Sequence, residues 1–256
     1  MSSMHTKNKK TLISIFTTTL TIFIIFIGWI ILSDVKNNQL IFPSVRQIFI
    51  KFENIFTSTG LKAFGFSLYR LLISIAFSFL VSFLVMLLYI VKKWTFGFFS
   101  PIVKIMRSVP FVSFSIFVLL IFGNKSSPYI IATLVIMPIV IDGLKSGIDS
   151  IDKNLTDDLA LLDIGIWKKI FQVYLPILLP NIITLVLQTF GLGFKVMVMG
   201  EYLSQTPISI GKELYNAKSY LEMDLLIAWT IVIVVITSIV EFFVNLFNNK
   251  YRNTVY

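Results

Sequence analysis

Residues 152–180 read DKNLTDDLALLDIGIWKKIFQVYLPILLP, a charged amphipathic stretch that ends in a doubled Leu-Pro and lies between long apolar runs. Leu155, Leu159, Leu162, Ile166 and Ile170 recur at helical spacing, while Asp157, Asp158, Asp163, Lys168 and Lys169 fall mostly elsewhere on the wheel. One side of such a helix buries and the other meets water or a partner. Asp152 is placed to cap the start, and the acids of the first turn suit the positive end of the helix dipole. Gly165 divides the run into two short helices, and Pro176 and Pro180 reset the backbone where the next apolar stretch begins. The stretch is predicted to be a charged hairpin, residues 149–175, between two membrane spans.

Composition supports the membrane setting. Of 256 residues, 56% are hydrophobic, 15% aromatic and only 14% charged, with mean hydropathy +0.87. Six stretches are apolar enough to cross about 30 Å of hydrocarbon. They fall near 11–33, 67–91, 108–123, 127–148, 177–199 and 224–247, and no soluble domain remains, so 1–256 is expected to be a single all-α transmembrane domain. The first span follows the basic start MSSMHTKNKK. It is too long for a signal-peptide core and no small-x-small cleavage site follows, so it is expected to be retained.

Lysine and arginine gather at 7–10, 92–107, 145–169 and 250–252 and thin out at 36–62, 125 and 212–218. That asymmetry predicts both termini and the hairpin in the cytoplasm. The net charge of +9 then reflects topology and attraction to anionic lipid, and nucleic acid is excluded as a partner.

The residues of most enzymatic chemistry are missing. There is no cysteine, and the one histidine, His5, sits in the N-terminal tail. Gly211-Lys212-Glu213 lacks the hydroxyl and the preceding glycine of a phosphate-binding loop. No metal site is expected, and any nucleotide hydrolysis belongs to another chain.

Ionisable residues inside spans are expensive and usually face an interior or a water-filled path. Arg70, Asp142, Lys195 and Glu201 are the candidates. Lys195 lies deepest, and a cation there suits a sulfonate, a carboxylate or another anion. The competing reading pairs Lys195 with an acid on a neighbouring span or lets it snorkel to an interface. Arg70 and Asp142 read as structural anchors. Lys195, Met199 and Glu201 are the candidate translocation-path residues. Lys195 and Glu201, six positions apart, sit on different helix faces.

Several ordered segments resemble the permeases of type I ABC importers. These carry a loop of pattern E-A-A-x-x-x-G, nine residues, then I-x-L-P; Val173-Tyr174-Leu175-Pro176 matches the end. Counting back puts Asp157 at the acidic position and Asp163 at the glycine position, with Asp158 and Leu159 replacing the alanines and Gly165 two residues late. Phe42-Pro43-Ser44, Ser67-Leu68-Tyr69-Arg70, Arg107-Ser108-Val109-Pro110, Val198-Met199-Gly200-Glu201 and the loop from Gly211 to Asp224 are similar to segments of the nitrate, sulfonate, taurine and thiamine-precursor branch.

The resemblance implies a multi-pass subunit of the bacterial plasma membrane, working by alternating access with a second permease copy. It also implies an extracytoplasmic solute-binding protein docking on 34–66 and 200–223, and ATPase subunits that hold the ATP and magnesium. The hairpin would be the coupling helix. Leu155, Leu159 and Leu162 are expected as anchors, and Asp157, Asp158, Asp163, Gly165, Trp167, Lys168 and Pro176 belong to the same element. The rival readings are a secondary transporter or channel and, from another class, a membrane-embedded enzyme. The enzyme is weakened by the missing histidine, cysteine and paired carboxylates. The transporter has no need of the I-x-L-P spacing.

Overall fold

The computed structural model describes residues 41–161 and 164–252, together with 17, 20, 21, 23, 24 and 27–33. The first expected span, 11–33, therefore lies largely outside the described residues. Its helical part at 27–33 is tied down by Trp29, whose Nε1 donates to the Pro43 carbonyl at 3.2 Å.

Helix α1, Val45–Ile55, starts in a capping box: Ser44 accepts from the Gln47 amide, and the Gln47 side chain accepts from the Ser44 amide at 2.8 Å. Helix α2, Ser58–Val91, begins at a Thr57 cap, ahead of the apolar run expected from 67. Its 34 residues reach about 51 Å, more than a bilayer core needs. A short 3-10 turn, Lys93–Thr95, leads to α3, Phe96–Ser108, and then to α4, Phe111–Asp149.

Two backbone interruptions shape this middle region. Val109 is extended and Pro110 restarts the helix, because a residue before proline is held out of the helical region. Gly123 then breaks α4 at φ 70 and ψ 177, a conformation open essentially to glycine alone. The expected third span, 108–123, is thus the short arm of α4 before Gly123, and the fourth, 127–148, is the long arm after it.

The chain continues through α5, Lys153–Leu161, and α6, Ile166–Lys169. A π-turn, Ile170–Tyr174, leads into α7, Leu175–Ser204. Pro176 has no N–H for the turn behind it and its ring crowds that turn, which widens the backbone there. Helix α8, Ile210–Ser219, and α9, Met223–Arg252, complete the order. Among the described residues four helical segments are long and apolar enough to cross a membrane: Ser58–Val91, Phe111–Asp149, Ile166–Ser204 and Met223–Val244.

The centre is the meeting of α2, α4 and α7, where Leu71, Ile136, Val140, Phe194 and Met197 are fully buried. Small residues bring these helices close. Ser74, Ser78 and Ser82 donate to the carbonyls of Tyr129, Thr133 and Met137 at 3.2, 3.3 and 3.3 Å. The sequence offset stays at 55 throughout, so α2 and the long arm of α4 run in the same direction. Gly143 and Gly147 form a small-x-x-x-small pair, where an added Cβ would meet Leu185 and Asn181 side-chain atoms at 2.3 Å. Asn181 Nδ2 donates to the Gly143 carbonyl at 3.0 Å, which closes the α4–α7 crossing.

Candidate functional site

At one end of the molecule the hairpin forms as two helices divided at Gly165. Asp152 caps α5: its Oδ1 accepts from the Asn154 amide at 2.9 Å and its carbonyl from the Thr156 amide at 3.1 Å. The first turn contains no acid, so the dipole argument is corrected: Asp157 and Asp158 come a turn too late for it. Leu162 and Asp163, with the side chains of Asp157 and Asp158, lie outside the described residues.

The apolar surface of the hairpin differs from the expected Leu155, Leu159 and Leu162 stripe. Leu159 is 5% exposed and packs into its own subunit, whereas Leu161 is 86% exposed. Trp167 is also exposed and stacks on Phe171 with ring centroids 6.2 Å apart. Leu155 and Ile166 are exposed beside them, and Lys168 supplies an exposed charge. Leu161, Ile166, Trp167 and Phe171 are therefore apolar side chains exposed on a polar element, the last two in contact.

Behind the hairpin, side chains tie three helix ends together. Tyr89 donates from α2 to Asp149 of α4, and Lys145 pairs with the same carboxylate. The Lys145 ammonium also lies 5.2 Å from the Phe96 ring at the start of α3. Arg107 of α3 pairs with Asp142 of α4, so Asp142 is an anchor, as expected. A cleft of about 470 Å³ separates this cluster from the start of α5, with Lys93, Asp149, Lys153 and Thr156 among its walls.

At the opposite end, Glu201 has no accessible surface. Its carboxylate accepts from Ser67 Oγ at 2.7 Å, Arg70 Nη1 at 2.9 Å and the Gly211 amide at 3.4 Å. Arg70 also donates to the carbonyls of Pro207 and Ile208, at 3.0 and 3.1 Å. These bonds hold the turn before α8, where Gln205 and Ile208 adopt positive φ, against α2 and α7. Glu201, a candidate path residue, therefore sits inside the subunit in this conformation. Its partner is Arg70, which the sequence placed only as an anchor.

Lys195 and Met199 do share an open surface. They line a groove of about 350 Å³ between α7 and α9, roofed by Leu214 of α8. Val198, Leu226 and Ile233 make the rest of its apolar wall, and Tyr202 and Thr230 add hydroxyls. Lys195 Nζ lies 3.7 Å from Glu241 Oε1 on α9, with the two side chains 54% and 65% exposed. Sequence reasoning passed over Glu241, although an acid inside the last apolar run was the signal available. On α8, Lys212 sits 5.1 Å from the Tyr215 ring, which meets Tyr202 of the groove wall edge-on at 5.8 Å, and its ammonium donates to Gln205 Oε1 at 3.3 Å. Burial pushes the Glu213 carboxyl above its ordinary pKa against the pull of Lys212, so Glu213 faces inward in part.

Among the described residues no group of three or more histidine, cysteine or acidic side chains could hold a metal. The arrangement offers a groove with one lysine, a buried ion-pair strut and a polar hairpin with exposed apolar side chains.

The family described as binding-protein-dependent transport system inner membrane component matches residues 86–253, more than half of the chain, taking in both the hairpin and the groove. A Bacillus subtilis (strain 168) protein described as an aliphatic sulfonates transport permease protein, SsuC, is 24% identical over 161 residues. The match covers 62% of this chain and 58% of that protein, less than two thirds of the relative's length. With its apolar helices and the ordered motifs around its hairpin, the chain belongs to the binding-protein-dependent transport system inner membrane components, the permeases of ABC transporters.

Proposed function

We propose that this chain is the permease subunit of an ATP-driven importer for a small organic anion of the sulfonate type. Six spans place both termini and the hairpin in the cytoplasm: the 11–33 segment, α2, the α3 and short α4 arm taken together, the long α4 arm, α7 and α9. A second permease copy completes the pathway. A solute-binding protein docks on the α8 side. ATP and magnesium reside on separate ATPase subunits beneath the hairpin, in the bacterial plasma membrane.

The observation that carries this reading is the exposure of Leu161, Ile166, Trp167 and Phe171 on an otherwise polar hairpin, with Trp167 stacked on Phe171. Large apolar side chains exposed on a short charged element suit a docking surface. Asp157, Asp158, Leu162, Asp163 and Lys168 supply the rest of the contact. Tyr89, Lys145, Asp149, Arg107 and Asp142 tie α2, α3 and α4 to one another at the end of α4 from which the hairpin leaves. Nucleotide binding on the ATPase then biases a two-state membrane unit through differential affinity for its two states. The sulfonate assignment draws on the Bacillus subtilis relative and on the single cation of the groove.

The test is co-purification from mild detergent, wild type beside Leu161→Asp and Trp167→Ala. The expected result is an ATPase subunit recovered with wild type and lost with Leu161→Asp, with the permease still folded because Leu161 is 86% exposed. Wild-type permease that purifies without any ATPase in several detergents would overturn the proposal and favour a secondary transporter.

A further inference from the structure

A lysine within a membrane-spanning helix that lines an open groove is costly unless that groove holds water or a charged ligand. Lys195 lies nine residues before the end of α7 at Ser204, about 14 Å down the helix, so it is well below the rim. Its separation from Glu241, 3.7 Å, is beyond the length of about 2.7–2.9 Å typical of a charge-assisted hydrogen bond. The Arg70–Glu201 pair on the same helix meets at 2.9 Å. The Lys195 ammonium is thus neutralised by Glu241 without being locked to it.

The groove above Lys195 says what else would satisfy that ammonium. Lys195 is the one charged residue in its lining, and Glu241 lies outside the lining. Val198, Met199, Leu226 and Ile233 form apolar walls, and the Thr230 hydroxyl already donates to the Leu226 carbonyl at 2.8 Å. A cation would find no carboxylate in that lining and would meet the like charge of Lys195. A dianion would find half its charge unmet.

We propose that Lys195 and Glu241 form an exchangeable counter-ion site: the Lys195 ammonium takes the head group of a small amphiphilic monoanion in place of the Glu241 carboxylate, while the ligand's apolar body lies along the groove. The inference rests on the permease reading and deepens it. Glu241 acts as the internal stand-in for the substrate, keeping Lys195 neutralised when the groove is empty of ligand. Removing Glu241 therefore strengthens anion binding, and removing Lys195 abolishes it. Two halves of a merely structural pair would instead move binding in the same direction.

The experiment uses the full-length permease in phosphatidylcholine nanodiscs, titrated calorimetrically with butanesulfonate, ethanesulfonate and butyltrimethylammonium. Wild type is expected to bind butanesulfonate more tightly than ethanesulfonate and to ignore the cation. Glu241→Gln is expected to bind butanesulfonate about tenfold tighter, since a competing state has been removed. Lys195→Gln loses binding and Lys195→Arg keeps it.

An unchanged or weaker affinity in Glu241→Gln overturns the proposal, as does absence of binding to both wild type and Glu241→Gln. Binding that follows tail length and survives Lys195→Gln also overturns it and identifies the groove as a lipid-tail site. ATPase co-purification of each variant reports folding and separates the two levels. A retained ATPase with no sulfonate response removes the counter-ion site and leaves the permease. A wild type without an ATPase removes the permease reading whatever the titration shows.

Discussion

Helix α7 carries two charged residues six positions apart, and each meets an opposite charge on another helix. Glu201 and Arg70 approach to 2.9 Å with side chains 0% and 10% exposed, whereas Lys195 and Glu241 stand 3.7 Å apart with more than half of each side chain exposed. The first pair is one edge of a cage that also includes Ser67, the Gly211 amide and two loop carbonyls. The second has the groove on its open side. Six residues along an α-helix rotate the side chain by about 240°, enough to send one charge inward and the other outward. A buried pair with every partner supplied fixes geometry; an exposed pair with a long separation leaves its charges available.

The largest expected effect comes from breaking the buried pair. Glu201→Ala leaves the Arg70 guanidinium buried without its carboxylate and is expected to cost about 3–5 kcal/mol, read as loss of folded yield or of Tm in detergent. Arg70→Met with Glu201→Leu should cost less than Glu201→Ala alone, because no charge is then stranded. The double variant still loses the bonds to Pro207 and Ile208, so the turn at 205–209 should become open to protease. If the double variant is as unstable as the single one, the network holds the fold chiefly through that turn and the charges are secondary.

Gly211 sharpens the comparison, because it touches both sides. An added Cβ would meet the Tyr202 amide nitrogen at 2.3 Å and Glu201 Cβ at 2.5 Å. Backbone must move to admit it, so Gly211→Ala is expected to cost about 1–3 kcal/mol, as overpacking does. It should also widen the groove by lifting Leu214. Limited proteolysis near α8, with a lowered Tm, checks this; an unchanged Tm would mean that α8 is loosely seated and the cage weaker than its hydrogen bonds suggest.

The serine ladder supplies a control in which small size and hydrogen bonding can be separated. Ser78 is fully buried and donates to Ser74 and Thr133 carbonyls at 2.7 and 3.3 Å. Ser78→Ala keeps the close approach and is expected to cost about 0.6 kcal/mol, the average for such bonds in membrane helices. Ser78→Leu should cost about 1–3 kcal/mol by pushing α2 off α4. Equal effects in a thermal-stability measurement would show that the helices tolerate separation there.

What the sequence showed was mostly local. The long apolar helices, the Asp152 cap and the division at Gly165 depend on a few neighbouring residues; four span-length helices, the cap and the division are present among the described residues. The ladder was hidden because a serine in an apolar helix can satisfy itself at the carbonyl four residues back, as Ser115 does. Only tertiary register reveals a second partner at Thr133. Leu159 and Leu161 teach a related point. Of the periodic stripe Leu159 and Ile170 are buried while Leu155 and Ile166 are exposed, so only part of it packs against its own subunit; the apolar residue two positions after Leu159, rotated by about 200°, is far more exposed. Glu201 and Arg70 were both visible as charges in apolar runs, but 131 residues separate them and nothing local pairs them.

The smallest effect on stability belongs to the exposed pair. Lys195→Ala and Glu241→Ala are each expected to change folding stability by less than about 1 kcal/mol, the range of solvent-exposed ion pairs. Their double variant should equal the sum of the singles, because a contact of 3.7 Å between exposed groups couples weakly. Tm measurements in one detergent, beside Glu201→Ala, place the two pairs on a common scale. A cost for Lys195→Ala as large as that for Glu201→Ala would show that the groove is closed to water and that the two pairs do the same structural work. A small cost shows the opposite: the protein carries Lys195 and Glu241 on membrane-spanning helices without gaining stability from them, which leaves the Lys195 charge available to whatever enters the groove it lines.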